Sequence, residues 1–187
     1  MILYMDKMDK EKILEEYRNI LTTDSVKARA LIKRLDYKED PYLLQCIAQT
    51  YLDESRFYED GRPREDLEWR KWRMAERYII KAFELDSNCL LVLSTMASVR
   101  RSSAQKEIAT YCYEKIIKLG VKGAKSAKCE FDVDFAKELI NDSKFDLYRL
   151  YYEDNPKLSK KYLAMYKKGL EKGITTIYEP LNEFLLD

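Results

Sequence analysis

The sequence predicts an all-α chain built of helix pairs. Three observations carry this. Nearly every segment spaces its apolar residues at helical intervals. No run alternates apolar and polar residues as a strand would. A pattern also recurs: Ala75, Ile79, Ala82, Phe83 and Leu85 map onto Ala109, Tyr113, Ile116, Ile117 and Leu119, each 34 residues on. A period of this length marks a helix-turn-helix unit that cannot bury its apolar face alone and so stacks on copies of itself.

The elements follow in order. A first helix is expected from Asp9 to Leu21, with Ile13, Leu14, Tyr17, Ile20 and Leu21 on one stripe. Thr22–Ser25 breaks and caps, and a second helix runs to about Asp36 through Ala28, Leu31, Ile32 and Leu35. Asp40 before Pro41 is a helix start, an N-cap acceptor followed by proline in the first turn. The third helix covers Tyr42 to Leu52. Residues 53–67 then break the period with a charged stretch holding Gly61 and Pro63. Leu44, Ile47 and Ala48 map onto Leu93, Met96 and Ala97 at an offset of 49, which is the 34-residue period plus 15. The segment is therefore a 15-residue insertion between paired helices, either a loop or an elongation of the helices flanking it.

A helix from about Asp66 to Asp86 restores the frame, and another spans Asn88 to Arg101. Ser102–Gln105 has the spacing of a capping box and opens a helix that Gly120 closes. Lys122–Lys128 reads as a basic connector. Two short helices are expected at 132–141 and 144–153. Asn155-Pro156 opens a further helix to Gly173, and Thr176–Glu179 caps a tail helix carrying Leu181, Phe184 and Leu185.

Composition bounds the function. The 187 residues are 46% apolar, enough for a core, and fit one domain. Lys plus Arg is 34 against 33 Asp plus Glu, a net charge of +1, so no global field points to nucleic acid. There is no histidine, and Cys46, Cys89, Cys112 and Cys129 form no Cys-x-x-Cys pair. No metal site or cofactor site is expected, and the cysteines read as reduced core fillers. No carboxylate pair sits beside a phosphate-cradling glycine loop or a nucleophile context, so the chain is not expected to be an enzyme. Met1–Met5 is apolar but too short for a signal peptide, and the cytoplasm is the expected location.

Residues 42–120 resemble the tetratricopeptide repeat family. The first-helix pattern is met by Leu44, Ile47-Ala48 and Tyr51, then by Leu93 and Met96-Ala97. The second-helix pattern is met by Ala75, Ile79 and Ala82, then by Ala109, Tyr113 and Ile116. The family's usual tryptophan is missing, Arg100 stands at a tyrosine position, and Ser87 and Val121 stand at proline positions. The resemblance implies a right-handed superhelix of antiparallel helix pairs, an α-solenoid of about three to four repeats plus a C-terminal capping helix. The best repeats are 42–87 and 88–121, with degenerate units at 9–36 and 132–173 and the capping helix at 176–187. About nine helices result.

The resemblance also implies a non-catalytic adaptor whose concave groove binds a protein or extended peptide. The groove residues would be Tyr42, Gln45, Gln49 and Leu52 from one unit and Leu91, Ser94, Ser98 and Arg101 from the next. Where one subclass of the family carries a Lys/Asn/Arg clamp for acidic chaperone tails, this chain has Gln45, Cys46, Gln49, Ser94, Thr95 and Ser98, and only Arg101 adds a nearby cation. The residues themselves also allow other readings. Arg70, Arg73 and Arg77, or the connector lysines Lys118, Lys122, Lys125 and Lys128, could touch nucleic acid. The 53–67 insertion or the tail helix could self-associate. Fifteen tyrosines are in excess. Tyr148, Tyr151, Tyr152, Tyr162 and Tyr166 could line a contact surface, since tyrosine joins large apolar area to a polar tip. No membrane partner is expected.

Overall fold

The computed structural model describes residues 7–58, 62–126, 129 and 131–178. It is all-helical, with eight α-helices, one 3-10 turn and no strand among the described residues. The chain divides into two compact units, with the boundary between Ser87 and Asn88, where one repeat was expected to hand over to the next.

The first unit holds α1 (Lys7–Ile20), α2 (Ser25–Ile32), α3 (Pro41–Arg56) and α4 (Trp69–Leu85). Each packs against the next. The caps are those the sequence spells. The Asp24 carboxylate accepts from Lys27 N, and Asp40 accepts from Tyr42 N and Leu43 N ahead of Pro41. These bonds satisfy amides that the first helical turn leaves without partners. Leu14, Tyr17, Ala28, Ile32, Leu35, Leu43, Cys46 and Ile47 form a core cluster, tied by the Tyr17 hydroxyl donating to the Cys46 carbonyl at 3.2 Å. On α4, Trp72, Ala75, Ile79 and Ala82 make the buried stripe, while Arg70, Arg73 and Arg77 are exposed.

Among the described residues the 53–67 segment is one turn of helix followed by non-helical chain. α3 runs a turn beyond Leu52 to Arg56, and a connector follows from Phe57 to Glu68. The connector is ordered by Tyr58 N donating to Arg62 O, Arg64 N to Arg56 O, and an antiparallel bridge between Phe57 and Pro63. Gly61 lies outside the described residues. The added turn of α3 is not dispensable. Glu54 on it pairs with both Arg29 of α2 and Lys71 of α4, and Ser55 is fully buried. Arg29 also lies 3.9 Å above the Tyr51 ring.

The second unit holds α5 (Leu90–Ser102), α6 (Lys106–Leu119), the 3-10 turn (Gly120–Ala124), α7 (Val133–Tyr151) and α8 (Pro156–Glu171). α5 packs on α6 and α7, and α7 packs on α6 and α8. Gly120 ends α6 with φ +60°, where a side chain would be strained.

Two expectations fail here. Ser102–Gln105 is not a capping box. The Ser102 hydroxyl bonds back to Ser98 O and the Ser103 hydroxyl to Arg100 O, both finishing α5. Ala104 turns the chain at φ 59°, and Gln105 precedes α6 without a side-chain cap bond. The two short helices expected over 132–153 are one helix, α7. Asn141, Asp142 and Ser143 favour turns because their side chains compete for backbone groups. In α7 they are occupied elsewhere: Asn141 donates to Tyr166 O, Asp142 accepts from Thr176 and Ile177 N, and Ser143 donates to Leu139 O. Of the tail helix expected at 176–187, residues 179–187 lie outside the described residues, and Thr176–Tyr178 are not helical.

Candidate functional site

The groove positions on α3 divide. Tyr42 and Gln49 are half-buried, and Gln49 donates to Asp53 at 2.9 Å. Gln45 is 6% exposed and Leu52 fully buried, so neither is a surface residue as expected. The reason is that α3 packs on both α2 and α4, and ten of its sixteen residues are buried, which makes it a central helix. On α5, Leu91, Ser94, Ser98 and Arg101 are all half-buried. Arg101 is not spare charge for a ligand: it donates to the buried Asp146 of α7 at 2.5 Å.

The tyrosine-rich part of the second unit is better formed. Tyr151, at the end of α7, and Tyr162, on α8, lie parallel with ring centroids 6.0 Å apart and planes 5° apart. Both hydroxyls donate to one oxygen of Glu114 on α6, at 3.4 and 3.3 Å. Three helices thus fix two half-buried rings on a single carboxylate. Burial first, and then the adjacent Glu114 charge, push the Tyr162 hydroxyl up to about 12, so it stays a hydrogen-bond donor at any physiological pH. Tyr152, 63% exposed, stands edge-on to Tyr148, and Tyr111 on α6 is also exposed. The five tyrosines singled out from sequence therefore separate. Tyr148 and Tyr166 are core, Tyr151 and Tyr162 form the clamped pair, and Tyr152 faces solvent.

Another face of α7 carries a polar network that sequence reasoning missed. Asp142 and Asp146, four apart on α7 and so on one face, are both buried. Asp146 holds Arg101, and the buried Tyr113 hydroxyl of α6 sits beside that pair, driven well above its ordinary pKa by burial and by Asp146. Asp142 holds Thr176 and Ile177. The available signal was the four-residue spacing of Asp142 and Asp146 on one helix face, alongside Phe135, Leu139 and Phe145. It was lost once 132–153 was divided at residues 142–143.

Of the connector lysines, Lys118, Lys122 and Lys125 are exposed, and Lys128 lies outside the described residues. Among the described residues no group of three or more Cys, Asp or Glu side chains is placed to hold a metal ion. No described helix is long and apolar enough to cross a membrane. Compared with known proteins, the chain matches no family model, no curated protein and no solved structure.

Proposed function

We propose that this chain is a non-catalytic scaffold of tetratricopeptide-like helix pairs that binds a protein or extended peptide. The supporting observation is the clamped pair Tyr151–Tyr162 on Glu114, with two exposed tyrosines in the same unit, Tyr152 next in sequence to Tyr151 and Tyr111 on α6. Aromatic side chains already held in place lose little entropy on binding, and tyrosine is enriched in protein contact surfaces. The succession α5–α6–α7, in which α5 meets both its partner and the next helix, supports the stacked-repeat architecture. Tyr42 and Gln49 in the first unit, weakened by the interior positions of Gln45 and Leu52, and separately Leu91, Ser94 and Ser98 in the second, remain secondary candidate positions. Four free, buried thiols support a reducing compartment such as the cytoplasm.

The test is quantitative capture of whatever partner the native host supplies, with two variant pairs. Tyr111→Ala with Tyr152→Ala is expected to weaken the complex by about tenfold or more, as truncation of aromatic contact residues does. Gln49→Ala with Ser98→Ala is expected to leave it within about threefold, which is below 1 kcal/mol. Loss of the partner with the second pair and retention with the first would move the binding surface to the repeat groove.

A further inference from the structure

After α8 the chain turns at Gly173, φ +76°, and residues 174–178 lie back along α7 and α8 as a strap. The strap is non-helical, and all five of its residues contact α7 or α8. Thr176 Oγ1 donates to Asp142 Oδ1 at 2.5 Å and accepts from the Tyr166 hydroxyl at 3.0 Å, while Ile177 N donates to Asp142 Oδ2 at 3.2 Å. The Tyr178 ring packs on Phe145 with centroids 4.6 Å apart, and its hydroxyl meets Asp146. Thr175, exposed, donates to Glu138. Ile177, between the two anchors, is 73% exposed. The anchors are thus a hydroxyl with its neighbouring backbone amide and, two residues on, a tyrosine. The chain bends at 177 and 178, with Tyr178 N donating back to Thr176 Oγ1 at 3.2 Å, and both the Thr176 hydroxyl and the Tyr178 ring meet α7. The surface beneath keeps two carboxylates in register, four residues apart on one helix: Asp142 takes the Thr176 hydroxyl and the Ile177 amide, and Asp146 faces the Tyr178 hydroxyl.

We propose that this face of α7 and α8 is a binding site for a peptide turn carrying threonine followed two residues later by tyrosine, and that the chain's own Thr176 and Tyr178 fill it until such a segment displaces them. A partner's segment would donate its threonine hydroxyl and following amide to Asp142 and its tyrosine hydroxyl to Asp146, with its ring on Phe145. The strap joins α8 through Gly173, and displacing it breaks these contacts and the bond from Ile174 N to Gly169 O. The proposal deepens the protein-binding reading, on which the existence of a partner rests. The site itself does not use Tyr111 or Tyr152, so its failure and the failure of that reading are told apart.

The probe is a labelled peptide of residues 173–178, acetylated and amidated, titrated against the full-length chain. In the wild type the strap competes, and a site that is open only part of the time binds with affinity reduced by its open fraction. Thr176→Val and, separately, Tyr178→Ala loosen the strap and are each expected to bind the peptide about tenfold tighter than wild type. Adding Asp142→Ala to either should abolish the gain. Hydrogen exchange on the wild type supplies an independent reading. The Ile177 amide should exchange about a hundredfold or more faster than the Leu147 amide in the middle of α7, as a locally opening segment does. Equal peptide binding by wild type and variants, a gain that survives Asp142→Ala, or an Ile177 amide as protected as Leu147 would each overturn the proposal.

Discussion

Asn141 of α7 occupies the space that Gly169 of α8 leaves open. A Cβ added at Gly169 would overlap the Asn141 amide, which is fully buried, donates to Tyr166 O at 3.3 Å and accepts from Lys144 at 3.2 Å. The glycine is there for the close approach of two helices, not for a turn. Gly169→Ala should therefore destabilise the chain by about 2 kcal/mol, because the overpacking also displaces a bonded amide. Elsewhere in a helix the same change stabilises by up to about 1 kcal/mol. Urea denaturation of Gly169→Ala, and of Gly169→Ala with Asn141→Ala, checks this. The second substitution should return part of the loss, and additive effects would show that the two residues do not meet.

Glu54 marks where the insertion stops being dispensable. Replacing residues 57–66 by a short Gly/Ser turn should leave helical circular dichroism and a cooperative melt. Removal from residue 54 onward takes away the carboxylate that Arg29 and Lys71 share, and leaves the mostly buried Arg29 charge without it. Glu54→Ala alone should cost about 3 kcal/mol, as breaking a buried ion pair does. Wild-type stability in Glu54→Ala would show the pair to be dispensable.

Stability should rise as the solution is acidified from pH 7.5 to 5. There is no histidine to oppose this. Burial lifts the Asp142 carboxyl to about 6, against the bonds from Thr176 and Ile177 and with help from Glu138 and Asp146. Burial likewise lifts Asp53 to about 6, against the bond from Gln49 and the nearby Arg56. Unfolded, both titrate near 4. Between those values the folded chain binds more protons than the unfolded one, so its stability falls as pH rises through the window. Melting temperatures of the wild type should show this slope, at about 2–4 °C per kcal/mol for a chain of this size. Asp53→Asn and Asp142→Asn should each flatten it, and a slope unchanged in both would assign it to other groups.

The thiols should be silent in the native state. All four cysteines are buried and free, and burial pushes Cys46 up to about 12 and Cys112 up to about 11. Since the thiolate is the reactive form, a disulfide reagent at pH 8 should titrate none of them at the rate of a free thiol and all four in denaturant. Fast native labelling of any one would show that its helix opens locally.

What the sequence determined by itself was local. The caps Asp24, Asp40 and Asn155 and the stop at Gly120 are legible because each depends on a few neighbouring residues. The buried stripe of Trp72, Ala75, Ile79 and Ala82 is legible because helical spacing alone puts them on one face. Tertiary structure decided the rest. Gln45 and Leu52 sit on the face expected to be open, but a helix packed on two neighbours has little free circumference, and spacing along one helix does not count its neighbours. Asn141, Asp142 and Ser143 look like a break, because residues that compete for their own backbone end helices when nothing else occupies them. Here Tyr166 and the 174–178 strap bring partners from 25 to 35 residues away, and α7 runs through. The convergence of Tyr151, Tyr162 and Glu114 is likewise invisible in the chain, since three helices must dock before the two hydroxyls find one carboxylate.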